Sequence, residues 1–447
     1  MKYKTYPKVK DSEIVGVDTI PEKWGEKRLK FTTKFDLSTV DRHEYDDEIQ
    51  VSICHYPQVY HNEKITIQTK LPQGTCNEKE LEKFRLKKDD VLITKDSETP
   101  NDIGVPVYIE DNIKNAVCGY HIAQLSTDKN QVLGIFLFRF IQSNFVNGYF
   151  ETETNGVTRY GLGKDSINNL RIPIPTISEQ KSISKFFEKN ISIITNQISK
   201  NQNLIERLKE KRQATINQAV TKGLDLSVKM EDSEVEWIGE IPEKWEMIKL
   251  KFLGKSKIGI IYDPDEVVDN EEQGILVLRS SNIQNGKSSF LDTVYVNKEI
   301  GRELLTQKND ILICSRNGSH KLIGKNLMID ETLVGTTFGA FMTIFRSKYN
   351  KFISKVLNSP IFLNQKGLFI TTTINQLTIG TLNNFMIPFP KDDKERNDIV
   401  DFLDIETSKI DSLIFNNELQ IKKLKELRQS LISSIITGKI DVRDNIL

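Results

Sequence analysis

A chain of 447 residues is too long for one ordinary hydrophobic core, so two or more domains are expected. Hydrophobic residues at 38% and charged residues at 28% describe a globular protein, and 62 basic against 62 acidic side chains give no net charge to draw it to nucleic acid or membrane. No apolar run reaches the roughly 18 residues of a membrane span, and the N-terminus MKYKTYPKVK lacks an apolar signal core, so the expected location is the cytoplasm.

In chain order, residues 11–31 read DSEIVGVDTIPEKWGEKRLKF and return as DSEVEWIGEIPEKWEMIKLKF at 232–252, with IPEKW identical at 20–24 and 241–245. That is a duplication. A variable block follows each copy, at about 32–170 and 253–385. In the first block IQVSICH (49–55), KITIQTK (64–70), DVLITK (90–95) and VPVYIE (105–110) predict strands, and VLGIFLFRFIQ predicts a helix over about 131–148. In the second block GILVLRS (274–280), DILICSR (310–316) and FMTIFRS (341–347) predict strands, and FISKVLNSPIFL (352–363) a helix. Each block then reaches an IPxP phrase, IPIP at 172–175 and IPFP at 387–390, whose prolines suit an extended segment that stops before a helix.

After each phrase comes a long helical stretch with a seam. Ile191, Ile194, Ile198, Asn201, Ile205, Leu208, Arg212, Thr215 and Ala219 fall at alternating steps of three and four. Thr407, Ile410, Ile414, Asn417, Ile421, Leu424, Arg428, Leu431 and Ile435 repeat the stripe with its polar interruptions at the same steps. Two such stripes suit each other, so an antiparallel coiled coil is expected, with Asn201 and Asn417 fixing its register. The seam over 191–219 would be roughly 40 Å long, close to the 34–36 Å or so of one DNA turn. Such a pair would hold two blocks at a fixed separation about an approximate two-fold axis. The expected architecture is therefore α+β: two α/β-type recognition domains, 1–170 and 231–385, and two helical spacers, 171–230 and 386–447.

A search for catalytic chemistry finds little. Gly161–Ser166 contains GxGK but lacks the GxxxxGK[ST] spacing of a phosphate-wrapping loop and reads as a turn. Asp263, Asp265 and Glu266 have no suitably spaced lysine after them, as a metal nuclease would, and read as a solvated loop. His43, His55, His61, His121 and His320 show no metal spacing, and Cys54, Cys76, Cys118 and Cys314 form no CxxC pair, so no metal site is expected and the thiols read as reduced and structural.

Basic and amide residues at strand ends are more informative. Arg279, Ser281, Asn282 and Gln284 follow GILVL; Arg316, Asn317, Ser319, His320 and Lys321 follow DILIC; Lys95, Thr99 and Asn101 follow DVLIT. Arg and Lys match guanine O6 and N7, and Asn and Gln match adenine N6 and N7. Wet loops are commonly rich in the same residues, but Lys95 and Ser315 occupy the same step after matched DVLI and DILI strands, where a duplicated frame keeps a polar loop and changes its letters. Arg159 and Tyr160 add a basic-aromatic pair ahead of the first IPIP phrase. These are the candidate DNA contacts.

IPEKW in duplicate, IPIPTISEQKSISKFF (172–187) with its counterpart IPFP and DIVDFL (398–403), LKEKRQATINQAVTKG (208–223) and LKELRQSLISSIITGKIDVR (424–443) together resemble the specificity subunits of type I restriction-modification systems over essentially the whole chain. The resemblance implies two target recognition domains that each read half of a bipartite double-stranded DNA sequence, and no catalytic residues or cofactor in this chain. It also implies two methyltransferase (modification) subunits carrying S-adenosylmethionine, and restriction subunits using ATP and Mg. Two departures from symmetry stand out: TKG at 221–223 against TGK at 437–439, and Glu179-Gln180 against Glu395-Arg396 after one extra residue. A two-domain coiled-coil transcriptional regulator and a stand-alone nuclease are the rival expectations.

Overall fold

The computed structural model describes residues 4–236, 238–284, 286–369 and 376–443. Two compact units emerge, the first made of Met1–Gln202 with Leu419–Leu447 and the second of Asn203–Glu418.

In the first unit a five-stranded sheet is built from β1 (Thr33–Leu37), β2 (Lys64–Ile65), β3 (Val91–Thr94), β4 (Pro106–Ile109) and β5 (Ile122–Thr127), in the order β1-β5-β3-β4-β2. Only the β4–β2 edge is parallel. The DVLI segment becomes the middle strand, with every residue of β3 buried. KITIQTK yields only the two residues of β2, because Thr66 and Thr69 close a turn through Thr69 N–H to the Thr66 carbonyl at 3.0 Å. The predicted helix is two, Gly134–Ile141 and Asn144–Glu153, broken at Gln142-Ser143.

In the second unit β6 (Lys255–Ile258), β7 (Ile311–Cys314), β8 (Asn326–Met328) and β9 (Met342–Arg346) form an antiparallel sheet in the order β6-β9-β7-β8. This matches β1-β5-β3-β4 strand for strand. The tight turns before β3 and β7 use left-handed residues, Asp89 at φ 80° and Asn309 at φ 66°. Both types tolerate that region because their short polar side chains bond locally. The aspartates that open the two strands are anchored differently. Asp90 accepts hydrogen bonds from Ser126 Oγ at 2.7 Å and Gln124 Nε2 at 2.8 Å, whereas Asp310 takes Arg346 bidentately at 2.9 and 2.7 Å. GILVL supplies Ile275–Leu278 of a separate small sheet.

The IPxP phrases are strands, each paired antiparallel with the segment at or just past the end of an IPEKW copy: Arg171–Ile174 with Gly25–Arg28, and Met386–Pro390 with Trp245–Lys249. The long helices then run over Ile177–Lys222 and Asp393–Ile436. Every position of both predicted stripes is buried or half-buried. In the first unit Asn201 Nδ2 bonds Gln420 Oε1 at 3.2 Å, and Ile183 to Ile191 share a core with Ile432, Ile435 and Ile436. In the second, Arg212 Nε bonds Asp411 at 2.8 Å, and Ile216, Ala219 and Val220 share a core with Ile399, Val400 and Leu403. As numbers rise along one helix they fall along the other, so the pairing is antiparallel.

The expected twin roles of Asn201 and Asn417 do not both appear. Asn201 is 4% exposed and crosses to the other helix, but Asn417 donates to the Leu413 carbonyl of its own helix at 2.8 Å. Gln420, one helical turn from Leu424, receives the amide of Asn201 instead. The extra residue before Arg396 is also accounted for. Gln180 Nε2 donates to the Pro175 carbonyl at 3.0 Å, and Arg396 donates to the matched Pro390 carbonyl, so a longer side chain serves the same acceptor.

Candidate nucleic-acid interface

β7 ends at Cys314, and the next residue is fixed on both sides. The Ser315 amide donates to the Phe341 carbonyl at 2.9 Å, and the Ser315 carbonyl accepts from Leu377 N–H at 2.7 Å. Its hydroxyl is buried against Thr343 Oγ1. The following residue, Arg316, is exposed, and its guanidinium lies over the Phe341 ring, 5.3 Å from the centroid. Arg316 and Phe341 stand on an open cleft of about 1320 Å³ whose other walls include Ile261, Tyr262, Arg279, Ser281 and Asn317. Ile261 is 76% and Phe341 58% exposed, which is unusual for residues of this size beside a guanidinium. An apolar and aromatic wall beside cations suits a ligand with flat faces and negative charge.

The second-unit candidates divide by what they already hold. Arg279 pairs with Asp292 at 2.6 Å, and hydrogen bonds from Ser281 and then Arg279 keep the Asp292 carboxyl below the usual range. Asn282 is 1% exposed: it accepts from the Arg279 amide at 2.8 Å and donates to the Ser289 and Asp292 carbonyls. It therefore shapes the loop and presents no edge to a base, contrary to expectation. Asn317 donates to Ser280 Oγ at 3.1 Å and takes the Ser319 amide at 2.9 Å, with the half-buried exposure of a loop brace. Gln284, Ser319, His320 and Lys321 are exposed, the last two on a single 3-10 turn.

The matching place in the first unit is set by the same bonds. The Lys95 amide donates to the His121 carbonyl at 3.1 Å, and its carbonyl accepts from Leu162 N–H at 2.8 Å. Lys95 thus stands where Ser315 does, Asp96 where Arg316 does, and His121 where Phe341 does. Lys95 Nζ and His121 Nδ1 both reach Asp96 Oδ2 at 2.5 Å, and the Lys95 ammonium lies 5.8 Å from the Tyr120 ring centroid. Tyr160-Gly161 pairs with Asp96-Ser97, which carries the exposed Arg159 to the same loop. Thr99 is exposed close by, its amide on Ser97 Oγ at 3.3 Å. Asn101 goes elsewhere, to a depression of about 350 Å³ shared with Tyr60, Asp102 and Arg428.

Tyr120, His121, Phe341, Ile261 and Tyr262 were absent from the sequence candidates. A signal existed for the first three: Gly119-Tyr120-His121 and Gly339-Ala340-Phe341 each put an aromatic ring two steps after a glycine, directly before matched strands.

The motifs tested for catalysis have structural uses. Gly163 starts the short helix Lys164–Asn169 that leads into the IPIP strand. Glu266 caps the Asp263 amide at 2.8 Å and pairs with Lys298 at 2.8 Å, and these bonds hold its carboxyl below the usual range, Lys298 first. The four cysteines are buried and unbridged, and burial pushes the Cys54 thiol up to about 12. Among the described residues no group of three or more His, Cys, Asp or Glu is placed to hold a metal, and no helix is long and apolar enough to cross a membrane.

Two comparisons with known sequences bear on this geometry. Residues 43–207 match the family model for the type I restriction modification DNA specificity domain. The MjaVIII type I restriction enzyme specificity subunit of Methanocaldococcus jannaschii is 27% identical over 331 residues, 71% of this chain and 72% of that one. The chain is thus similar to type I specificity subunits over most of its length. The EcoKI specificity subunit of Escherichia coli is likewise 27% identical, over 45% of this chain and 44% of its own length. Among solved structures, a chain from work on complex assembly and conformational transition of a type I restriction-modification system superposes with a TM-score of 0.70 at 13% identity. It covers 94% of this chain and 99% of its own length, which establishes a shared fold.

Proposed function

We propose that this chain is a specificity subunit that reads a split DNA sequence, one half through the block of each unit, and brings modification subunits to it. One observation carries the reading: the same strand-end site occurs once in each unit, fixed by the same four backbone groups, with different side chains on it. A frame kept constant while its contact residues change is what two different base sequences require of a duplicated protein. The chain itself supplies binding and no bond-making step. S-adenosylmethionine would come with two methyltransferase subunits, and ATP and Mg with restriction subunits that translocate and cut. The long helices offer the surfaces on which such partners assemble, and their seam acts as the spacer between the half-sequences.

The test is to replace residues 253–385 by the corresponding block of a relative of known, different target and to sequence methylated bases in cells that also express the modification subunit. One half of the methylated motif should change and the other should persist. A motif unchanged in both halves would overturn the proposal.

A further inference from the structure

We propose that Arg316, with Phe341 as its platform, specifies a guanine in the half-sequence read by the second unit. The assignment rests on the two-half reading above and goes beyond it by joining one residue to one base.

Of the two arginines on the cleft, Arg279 is already committed to Asp292 at 2.6 Å. Arg316 has no carboxylate within ion-pair reach among the described residues and is exposed. Its position is nevertheless defined. The backbone is tied by its amide to the Phe341 carbonyl at 3.1 Å and by a bridge to Gln376, and the ring supports the guanidinium from one face. A guanidinium held by a ring face keeps its planar fork of N–H donors for another partner and loses little rotamer freedom on binding. That fork matches the adjacent O6 and N7 acceptors of guanine, whereas an ammonium offers only a point charge. A phosphate accepts the same fork, so charge and base readout must be separated by experiment. The first unit provides the contrast. At the equivalent step Asp96 is saturated by Lys95 and His121, so the two units do not carry the same letter there.

The experiment uses full-length chain co-expressed with its modification subunit, with methylated motifs read by single-molecule sequencing for wild type, R316A and R316K. In both variants one G·C position of one half-sequence should become degenerate, with discrimination there falling about 5- to 150-fold, while the other half-sequence stays intact. That intact half also reports that the protein is folded. If R316K keeps the full motif, or R316A lowers methylation evenly at all sites without changing the motif, Arg316 is a phosphate contact and the assignment fails alone. A wild-type motif without two separate halves would instead overturn the two-half reading and the assignment with it.

Discussion

Trp245 donates its indole Nε1–H to Glu395 Oε1 at 2.9 Å, tying the second IPEKW phrase to the first turn of the C-terminal long helix. Trp24 makes the same bond to Glu179 at 3.3 Å. Glu179 also closes a capping box, with its second oxygen accepting from the Thr176 amide at 3.2 Å. Both indoles are buried, at 1 and 2% exposure, and each packs beside the left-handed glycine that ends the other helix: Gly438 near Trp24, and Gly223 near Trp245. IPEKW is therefore duplicated because each unit needs one clamp joining the start of one helix to the end of the other. Trp245→Ala should cost about 3–5 kcal/mol, and chemical denaturation followed separately in the two units should show the loss in the second alone.

The TKG and TGK endings give a second prediction. Gly223 and Gly438 have φ of 72° and 73°, so alanine is strained at either. A Cβ at Gly223 would meet Trp245 and Glu395 at an ordinary 3.4 Å, but one at Gly438 would overlap the Pro21 ring. Gly438→Ala should therefore lower the melting temperature more than Gly223→Ala, where only the backbone cost of about 1–2 kcal/mol applies.

Asn201 and Asn417 separate in the same way. Asn201→Leu should raise thermal stability, because it replaces a polar group in an apolar seam, while admitting alternative helix registers detectable by cysteine cross-linking. Asn417→Leu should alter neither to the same degree, since that amide serves only its own helix.

Acid should act on the first unit through Asp441. Its carboxyl is held below the usual range chiefly by the hydrogen bond from Arg443, whose Nε lies 2.9 Å away. A carboxylate with a depressed folded pKa contributes stability that is complete above its unfolded value near 4 and is lost as pH falls through the lower folded value. Asp441→Asn should remove this part of the acid sensitivity. Denaturation midpoints of the two proteins should differ near neutral pH and converge at the acid end.

The spacer role predicts the effect of lengthening both helices. Because Asn201 meets Gln420, matched heptads belong after Asn201 and after Leu419. Methylation sequencing should then show a wider unspecified gap between unchanged half-sequences.

The sequence revealed what repeats: the seams, the IPxP strands and the DVLI and DILI strands all form where periodicity and punctuation placed them. It was poor at boundaries set by single polar residues. Gln142 and Ser143 break an apolar stretch that looked like one helix, and Thr66 and Thr69 turn a β-rich stretch out of its sheet. At the candidate site, composition gave Asn282 the same weight as the exposed Arg316, although Asn282 is buried. Whether an amide faces solvent or its own loop depends on the Ser289 and Asp292 carbonyls, seven and ten residues away, and no local pattern encodes that. Phe341 was missed because an aromatic at a strand start usually reads as core.

The first unit takes its last piece, from Leu419 onward, from the far end of the chain, whereas the second is one continuous stretch, Asn203–Glu418. On the ribosome, where synthesis proceeds from the N-terminus, the block made first is the one that waits. Its helix clamp cannot close until Gly438 has left the exit tunnel, by which time every residue of the second unit has already emerged. A premature stop near residue 418 would thus strip the opposite end of the polypeptide of its closing piece and leave a complete but solitary second unit.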